Sequence, residues 1–459
     1  MPRRRKSKDT FPIKQWLERL RDWRLSILLV ACVVLGGTAQ SVLTYKLPLY
    51  IISLLFIGQV LSFGVREPLS KLTRTPIIIS AIFFALFILN LIPLPPSIWT
   101  HFAGRSHIVD GFNAINTELP WLPISLTPEK TLFSLFDFIP IIAVILIMTL
   151  SANRGELKKS QFTIIALATF TALLGLLQTL AGPESFRLYE NFTPGFGVGV
   201  FTNANHQATF LAMALPLALY ITAHSEKNIG WHNDIKLSQI FGAFSTIIII
   251  MGIFLSGSSA GYALLLFGFI LTLWIINKGS ATGKIILGLG IAVCALILID
   301  IFFLSGQFQE VLKQVSIDTQ TSRSAILETS LQARKDFGVL GTGPGSFADV
   351  YKLYEDHSQI TKLYINEAHN DYLQIWFEMG WAGVLTVLAG LGWLMLQTVV
   401  AFKTSGRRRR KALIFIVITL IALLHATVDY SFRTIAISAL FIYFVLRIDT
   451  LCRDLNHSA

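Results

Sequence analysis

Cysteine is nearly missing from this 459-residue chain, which has three. Cys32 and Cys294 fall inside apolar runs and Cys452 in the C-terminal tail, so neither an extracellular disulfide framework nor a cysteine metal site is implied. Charge is scarce as well, at 14% of residues, and acids are outnumbered, 27 Asp and Glu against 38 Lys and Arg. No ten-residue alternating pattern appears, which argues against a transmembrane β-barrel. No internal repeat is visible, which weakens a transporter built from inverted halves. What is abundant is apolar surface: 53% hydrophobic residues and a mean hydropathy of +0.62, a balance that soluble globular chains rarely reach.

The chain therefore reads as an all-α, polytopic membrane protein. A hydrocarbon core of about 30 Å takes roughly 20 helical residues to cross. Runs of that kind lie near 25–43, 47–65, 76–92, 131–150, 161–181, 201–223, 237–256, 261–277, 285–304, 373–402, 412–428 and 433–447. These give about 12 transmembrane helices. The first run follows basic residues and ends in small ones, as a signal peptide does, but its length and the span close behind it favour a retained helix. With the N-terminus in the cytoplasm, the inner segments hold 27 of the 38 basic residues, which is the positive-inside asymmetry. The +11 net charge, concentrated in "PRRRKSK" and "GRRRRK", is thus assigned to orientation and lipid headgroups rather than to nucleic acid.

Five regions follow. Residues 1–24 form a basic cytoplasmic N-terminus, and 25–304 hold helices one to nine with an outer loop at 93–130. Residues 305–371 form a large outer loop with short amphipathic helices, 372–447 hold helices ten to twelve, and 448–459 are a cytoplasmic tail. The outer loops carry too many aromatic, Leu and Pro residues for disorder, so the working face is expected there. In the first, Trp99 and Trp121 suit headgroup depth. In the second, "SRSAILETSLQARKDFG" reads as an amphipathic helix with Ile326, Leu327 and Leu331 on one stripe and Gly338 as its stop. "GTGPGSF" lacks the spacing of a phosphate-cradling loop and reads as a tight glycine turn. "LSGSSAGYA" reads as a short outer turn leading into closely packed helix.

Chemistry is expected around "EAHNDYLQIWFEMGWAG". His369 lies between Glu367 and Asp371 and beside Asn370, at the mouth of a membrane helix. A neutral imidazole there can accept a hydroxyl proton while a carboxylate fixes its tautomer. A metal held by His369, Glu367 and Asp371 is the rival reading, on a spacing much less specific than H-E-x-x-H. The outer arginines are Arg105, Arg187, Arg323, Arg334 and Arg433. Arg187, Arg323 and Arg433 are the candidates for a pyrophosphate, which a planar guanidinium grips with paired hydrogen bonds. Each has a plainer role available as an anchor or ion pair, Arg433 with Asp429 for example. "FTNANHQATF" brings Asn203, Asn205 and His206 to a helix start, where amides are costly unless they meet polar partners such as sugar hydroxyls. Asp137 raises the same question inside helix four.

"RSAILETSLQARKDFGVLGTGPGSF", "EAHNDYLQIWFEMGWAG" and "HATVDYSFR", with "GVFTNANHQATF" and the "PLPPSIW…WLPISLTPEKT" loop, resemble the O-antigen ligase and polymerase superfamily of bacterial glycan transferases. The resemblance implies a metal-independent, cofactor-free inverting glycosyltransferase in the inner membrane. It would move a glycan from undecaprenyl pyrophosphate to an acceptor hydroxyl on the periplasmic side. Arg323 stands where that family has its essential loop arginine and His369 where it has its histidine. The acceptor is another carrier-linked repeat in a polymerase and the lipid A core in a ligase; the motifs lean to polymerase. The other implied partners are membrane lipids and other polysaccharide-assembly proteins. Many members carry an arginine in the turn after helix seven, where this chain has Ser258-Ser259-Ala260. A transporter, for inorganic carbon for instance, is the alternative from another class.

Overall fold

In lipid a backbone N–H or C=O has no water to bond, so an apolar segment must satisfy its own polar groups, and a helix does so. The computed structural model describes residues 23–39, 43–63, 71–182, 185–224, 237–277, 323–355 and 365–453. Among these the regular structure is helical, apart from an isolated bridge between Leu94 and Leu122. The long elements are α1 (Arg24–Leu35), α2 (Leu43–Phe63) and α3 (Lys71–Leu91). Two short outer helices follow, α4 (Pro96–Trp99) and α5 (Ser106–Ala114), then α6 (Pro128–Phe136) and α7 (Phe138–Leu146), which runs into a π turn. Next come α8 (Arg154–Ala181), α9 (Ala204–Ala223), α10 (Leu237–Leu255) and α11 (Ser259–Ile276). The outer α12 (Arg323–Lys335) and α13 (Phe347–Tyr351) precede α14 (Asp371–Lys403), α15 (Gly406–His425) and α16 (Ile435–Arg453).

Nine described segments are long and apolar enough to cross a membrane. They correspond to nine of the twelve expected runs. The ninth expected run, 285–304, lies outside the described residues. The eleventh falls in α15, whose first turns hold Arg407 to Arg410 and Lys411, leaving only about 14 apolar residues, or roughly 21 Å. The first is shorter than expected: α1 has 12 residues and stops before Gly36 and Gly37. There the chain is wedged between two neighbours. A Cβ on Gly36 would meet Ile435, and one on Gly37 the Val200 carbonyl at 2.5 Å. The freed carbonyls accept hydrogen bonds from the N–H groups of Ala436 and Thr202. Hydropathy extends the helix through these glycines, but tertiary packing ends it.

The centre of the bundle is α9, whose span is 89% buried. It packs against α8, α10, α11 and α15. Small residues let the backbones approach: Gly261 of α11 faces Ala208, and Gly252 of α10 faces Ala172 and Leu211. Asp137, at the joint between α6 and α7, pairs with buried Lys46 of α2 at 2.9 Å and accepts from Tyr50.

The second departure is in α14, which is broken rather than continuous. Gly380 has φ 57° and ψ −150°, so Asp371 to Met379 form a separate first segment. The glycine turn repairs the break. Thr342 and Gly343 donate their N–H groups to the carbonyls of Phe377 and Glu378, and Trp381 donates to Val339. Gly341 and Gly343 adopt φ of 82° and 98°, and a Cβ on Gly341 would sit 2.6 Å from the Glu378 oxygen. Glycine is needed here for both its dihedrals and its lack of bulk.

The two outer connections form a cap with a core of its own, including Ile326, Ala333, Phe337, Phe347, Val350 and Phe377. Leu126 donates to Thr342, and Thr131 to the Pro344 carbonyl. Within the cap two expectations change. Trp99 is fully buried and donates to Pro120, so of the two tryptophans only Trp121 is exposed. The inner face of α12 is Ile326, Ser330, Ala333 and Arg334, while Leu327 and Leu331 point outward. The apolar residues of that stripe were right in period but not all in direction.

Candidate active site

The polar residues singled out by the sequence converge where α9 and α14 begin and α15 ends. This is the end of the bundle opposite the basic run from Arg407 to Lys411, since α14 leads from it to Lys403 and α15 leads back from Arg407. The loop from Ala426 to Thr434 is stitched to the start of α14. Asp371 donates its N–H to Ala426 and accepts at its carboxylate from Phe432 N–H at 3.0 Å, while the Asn370 amide donates to the Thr427 carbonyl. Asn370 also caps α14 by accepting from Leu373 N–H, and Asn203 caps α9 in the same way through Asn205 N–H. Both asparagines thus have structural work on one side of the amide. Asn203 donates from the other side to the Tyr430 hydroxyl. Asn205 is half-buried and adds its side chain to the same rim.

His369 is held in the left-handed region, φ 50°, which a residue with a Cβ rarely adopts and which typically costs about 1–3 kcal/mol. Its side chain is 28% exposed, and Nδ1 lies 3.4 Å from Oδ1 of fully buried Asp429. A nitrogen facing a carboxylate carries the ring proton, so Nε2 at the opposite edge of the ring keeps its lone pair. Tyr430 stands edge-on to both His369 and His206, with centroids 4.9 and 5.0 Å away. His206 itself is fully buried. Burial alone would raise the Asp429 carboxyl, but the His369 ring 3.4 Å away and the charges of His206 and His425 hold it well below the usual carboxylate range.

Beside this group lies a second, acidic one. Arg433 pairs with Glu378 at 2.7 Å and approaches Glu367 at 4.0 Å, rather than pairing with Asp429 one turn earlier in the chain. Burial works against the Arg433 charge, yet the carboxylates of Glu378, Glu367 and Asp371 hold its pKa above the ordinary arginine value. Glu367 also accepts from the Gln374 amide. Its carboxyl is pushed up, first by burial and then by Glu378, against the pull of Arg433.

The other outer arginines divide clearly. Arg105 donates to the carbonyls of Pro123 and Ile124, and Arg334 to those of Trp376 and Gly338, so both bind the cap together. Arg187 donates to Gln178 and the Phe196 carbonyl and lies over the Phe192 ring at 4.3 Å. Phe196 in turn packs on Gly257, which brings Arg187 close to the Ser258 turn. Arg323 opens α12 with an exposed side chain, and its charge is among those that act on His425. No ion pair or hydrogen bond ties it down among the described residues.

His369, Glu367, Asp371 and Arg433 are therefore one neighbourhood with Asn203 and His206, and Arg323 reaches its edge. Asp429 was missed in the sequence except as a partner for Arg433, and so were Tyr430, Glu378 and His425. The signal was the His-x-x-x-Asp spacing in "HATVD". Among the described residues no group of three His, Cys, Asp or Glu side chains is arranged to hold a metal.

Residues 244–388 match the family described as O-Antigen ligase. The matched stretch runs from α10 through the glycine turn and His369 to the second part of α14, and stops short of Asp429. No curated protein matches the chain.

Proposed function

We propose, on the match of residues 244–388 to the O-antigen ligase family, that the chain belongs with the O-antigen ligases and polymerases and transfers a glycan from a polyprenyl-pyrophosphate carrier to an acceptor hydroxyl. The carrying observation is the strained, part-exposed His369 with Nδ1 on buried Asp429 and Nε2 left for substrate. The acceptor hydroxyl gives its proton to Nε2 and its oxygen attacks the anomeric carbon. The bond from that carbon to the phosphate oxygen breaks, and its electron pair leaves with the pyrophosphate. Direct displacement of this kind inverts the anomeric centre. Charge building on the departing oxygens is met by Arg323, whose exposed guanidinium has no ion pair or hydrogen bond among the described residues and is open to a phosphate. Arg187 and Arg433 remain candidates for the same task, although each already has protein partners. The carboxylates of Glu367 and Asp371 and the amides of Asn203, Asn205 and Asn370 suit sugar hydroxyls.

The basic run from Arg407 to Lys411 at the far end of the bundle, with the positive-inside count of the sequence, argues that this site faces the periplasm, with the protein in the inner membrane and both termini cytoplasmic. Donor activation supplies the energy, so the reading needs no cofactor or metal. We favour repeat-unit polymerase over ligase. A deletion strain tests the choice: single capped repeats mean polymerase, and full-length carrier-bound polymer missing from the lipid A core means ligase.

A further inference from the structure

His425 is a buried imidazole for which the transfer step above has no use. It ends α15 with 1% exposure. Its Nδ1 faces two hydroxyls, Ser431 Oγ at 2.6 Å and Thr209 Oγ1. Thr209 also reaches the Asn205 carbonyl, so its proton has two possible acceptors. Ser431 Oγ has no partner other than His425 among the described residues, so its proton goes to Nδ1. That fixes the ring hydrogen on Nε2. Nε2 then points at Oδ2 of Asp429 across 3.9 Å. Both atoms are buried and neither has a hydrogen-bond partner among the described residues. A donor and an acceptor, each out of water and aimed at one another slightly beyond bonding distance, are a contact that tightens when a site closes.

We infer that His425 is a positioning residue for His369, donating from Nε2 to the far oxygen of Asp429 so that one carboxylate bridges two imidazoles. Asp429 Oδ1 serves His369 Nδ1 and the Tyr430 N–H, while Oδ2 serves His425. The division sets how strongly Asp429 pulls on the His369 proton. With Oδ2 bonded, part of the carboxylate charge is taken up by His425, and less of it acts on the His369 ring. Without that bond the full charge falls on His369, which then binds a second proton more tightly and loses its lone pair. The other groups facing His425 are Arg323 from α12 and His206 from α9. Those facing His369, besides Asp429, are Tyr430, Glu367 from its own loop and His206. None of them donates to Oδ2.

This inference rests on the transfer reading, and the experiment separates the two. The full-length protein in lipid nanodiscs is given a polyprenyl-pyrophosphate-linked glycan and acceptor, and the transfer rate is followed against pH. His425→Leu is expected to move the acid limb of the profile upward by about one pH unit, with loss growing to roughly tenfold down that limb and recovery at alkaline pH. Ser431→Ala, which frees the tautomer, should move it the same way by less. His425→Gln keeps an N–H within reach and should restore the wild-type position. In parallel, the imidazole ¹⁵N signal that vanishes in His369→Ala identifies His369, and its titration midpoint should rise in His425→Leu. An unmoved midpoint, or a profile merely lowered at every pH, overturns the role of His425. Wild-type protein that transfers nothing sinks the transfer reading instead, while the ¹⁵N midpoint still decides the inference.

Discussion

Two acids buried at opposite ends of the bundle show what distinguishes a structural charge from a working one. At the basic end Glu156 meets Arg24 at 3.2 Å with both side chains out of solvent, and it also accepts from Leu25 N–H. Arg24 donates again to the Ser151 carbonyl, so the pair ties α1 to α8 with its hydrogen-bonding capacity well used. At the other end Asp429 is just as buried but is met by His369 in strained backbone, and its second oxygen lacks a bonded partner. His206 beside it has both ring nitrogens without protein partners. Satisfied charge holds elements together, whereas strained and incompletely bonded charge marks a place where another molecule completes the set.

The comparison breaks most visibly under substitution at the site end. His369→Ala and Arg323→Ala are each expected to lower transfer by about 10²–10⁴-fold, abolishing long-chain glycan, with membrane protein levels unchanged. Wild-type glycan length profiles in either strain would count decisively against the assignment. Glu156→Ala is expected to act in the opposite sense. Leaving the Arg24 charge buried without its partner costs about 3–5 kcal/mol, so folded protein falls while activity per folded molecule holds. Thermal melting in detergent, scored beside transfer, tells the two apart. Gly341→Ala should cost about 1–3 kcal/mol through its left-handed dihedral and the contact with Glu378. The smallest effect is expected from Arg187→Lys, about 1 kcal/mol of stability from losing the fork that binds Gln178 and Phe196. If that variant melts normally yet fails in transfer, Arg187 belongs with the pyrophosphate instead.

Much of this was legible in the sequence because bilayers impose simple rules. Length and apolarity located nine spans among the described residues, and His369 and Arg323 stood out as polar residues in the long connections. What escaped depended on contacts distant in sequence. Gly36 and Gly37 end α1 only because Val200 and Ile435 press on them, and hydropathy is blind to that. The break at Gly380 is tolerated because the glycine turn some forty residues earlier supplies replacement donors. Asp429 looked like a partner for Arg433 at helical spacing, but the short 3₁₀ turn Ser431–Arg433 swings the guanidinium to Glu378 and leaves Asp429 to the histidines. Leu327 and Leu331 share a period with Ile326, yet Phe337 and Ala333 complete the buried face of the outer core instead.

The central claim is that Asp429 keeps the His369 proton on Nδ1 so that Nε2 can take another from the acceptor. Asp429→Asn has nearly the same shape but permits the opposite tautomer, and the decisive measurement is its rate of glycan transfer in nanodiscs beside its melting temperature. The account predicts a loss of about 10²–10⁴-fold with little change in melting. Transfer at the wild-type rate by a normally folded Asp429→Asn protein would contradict it.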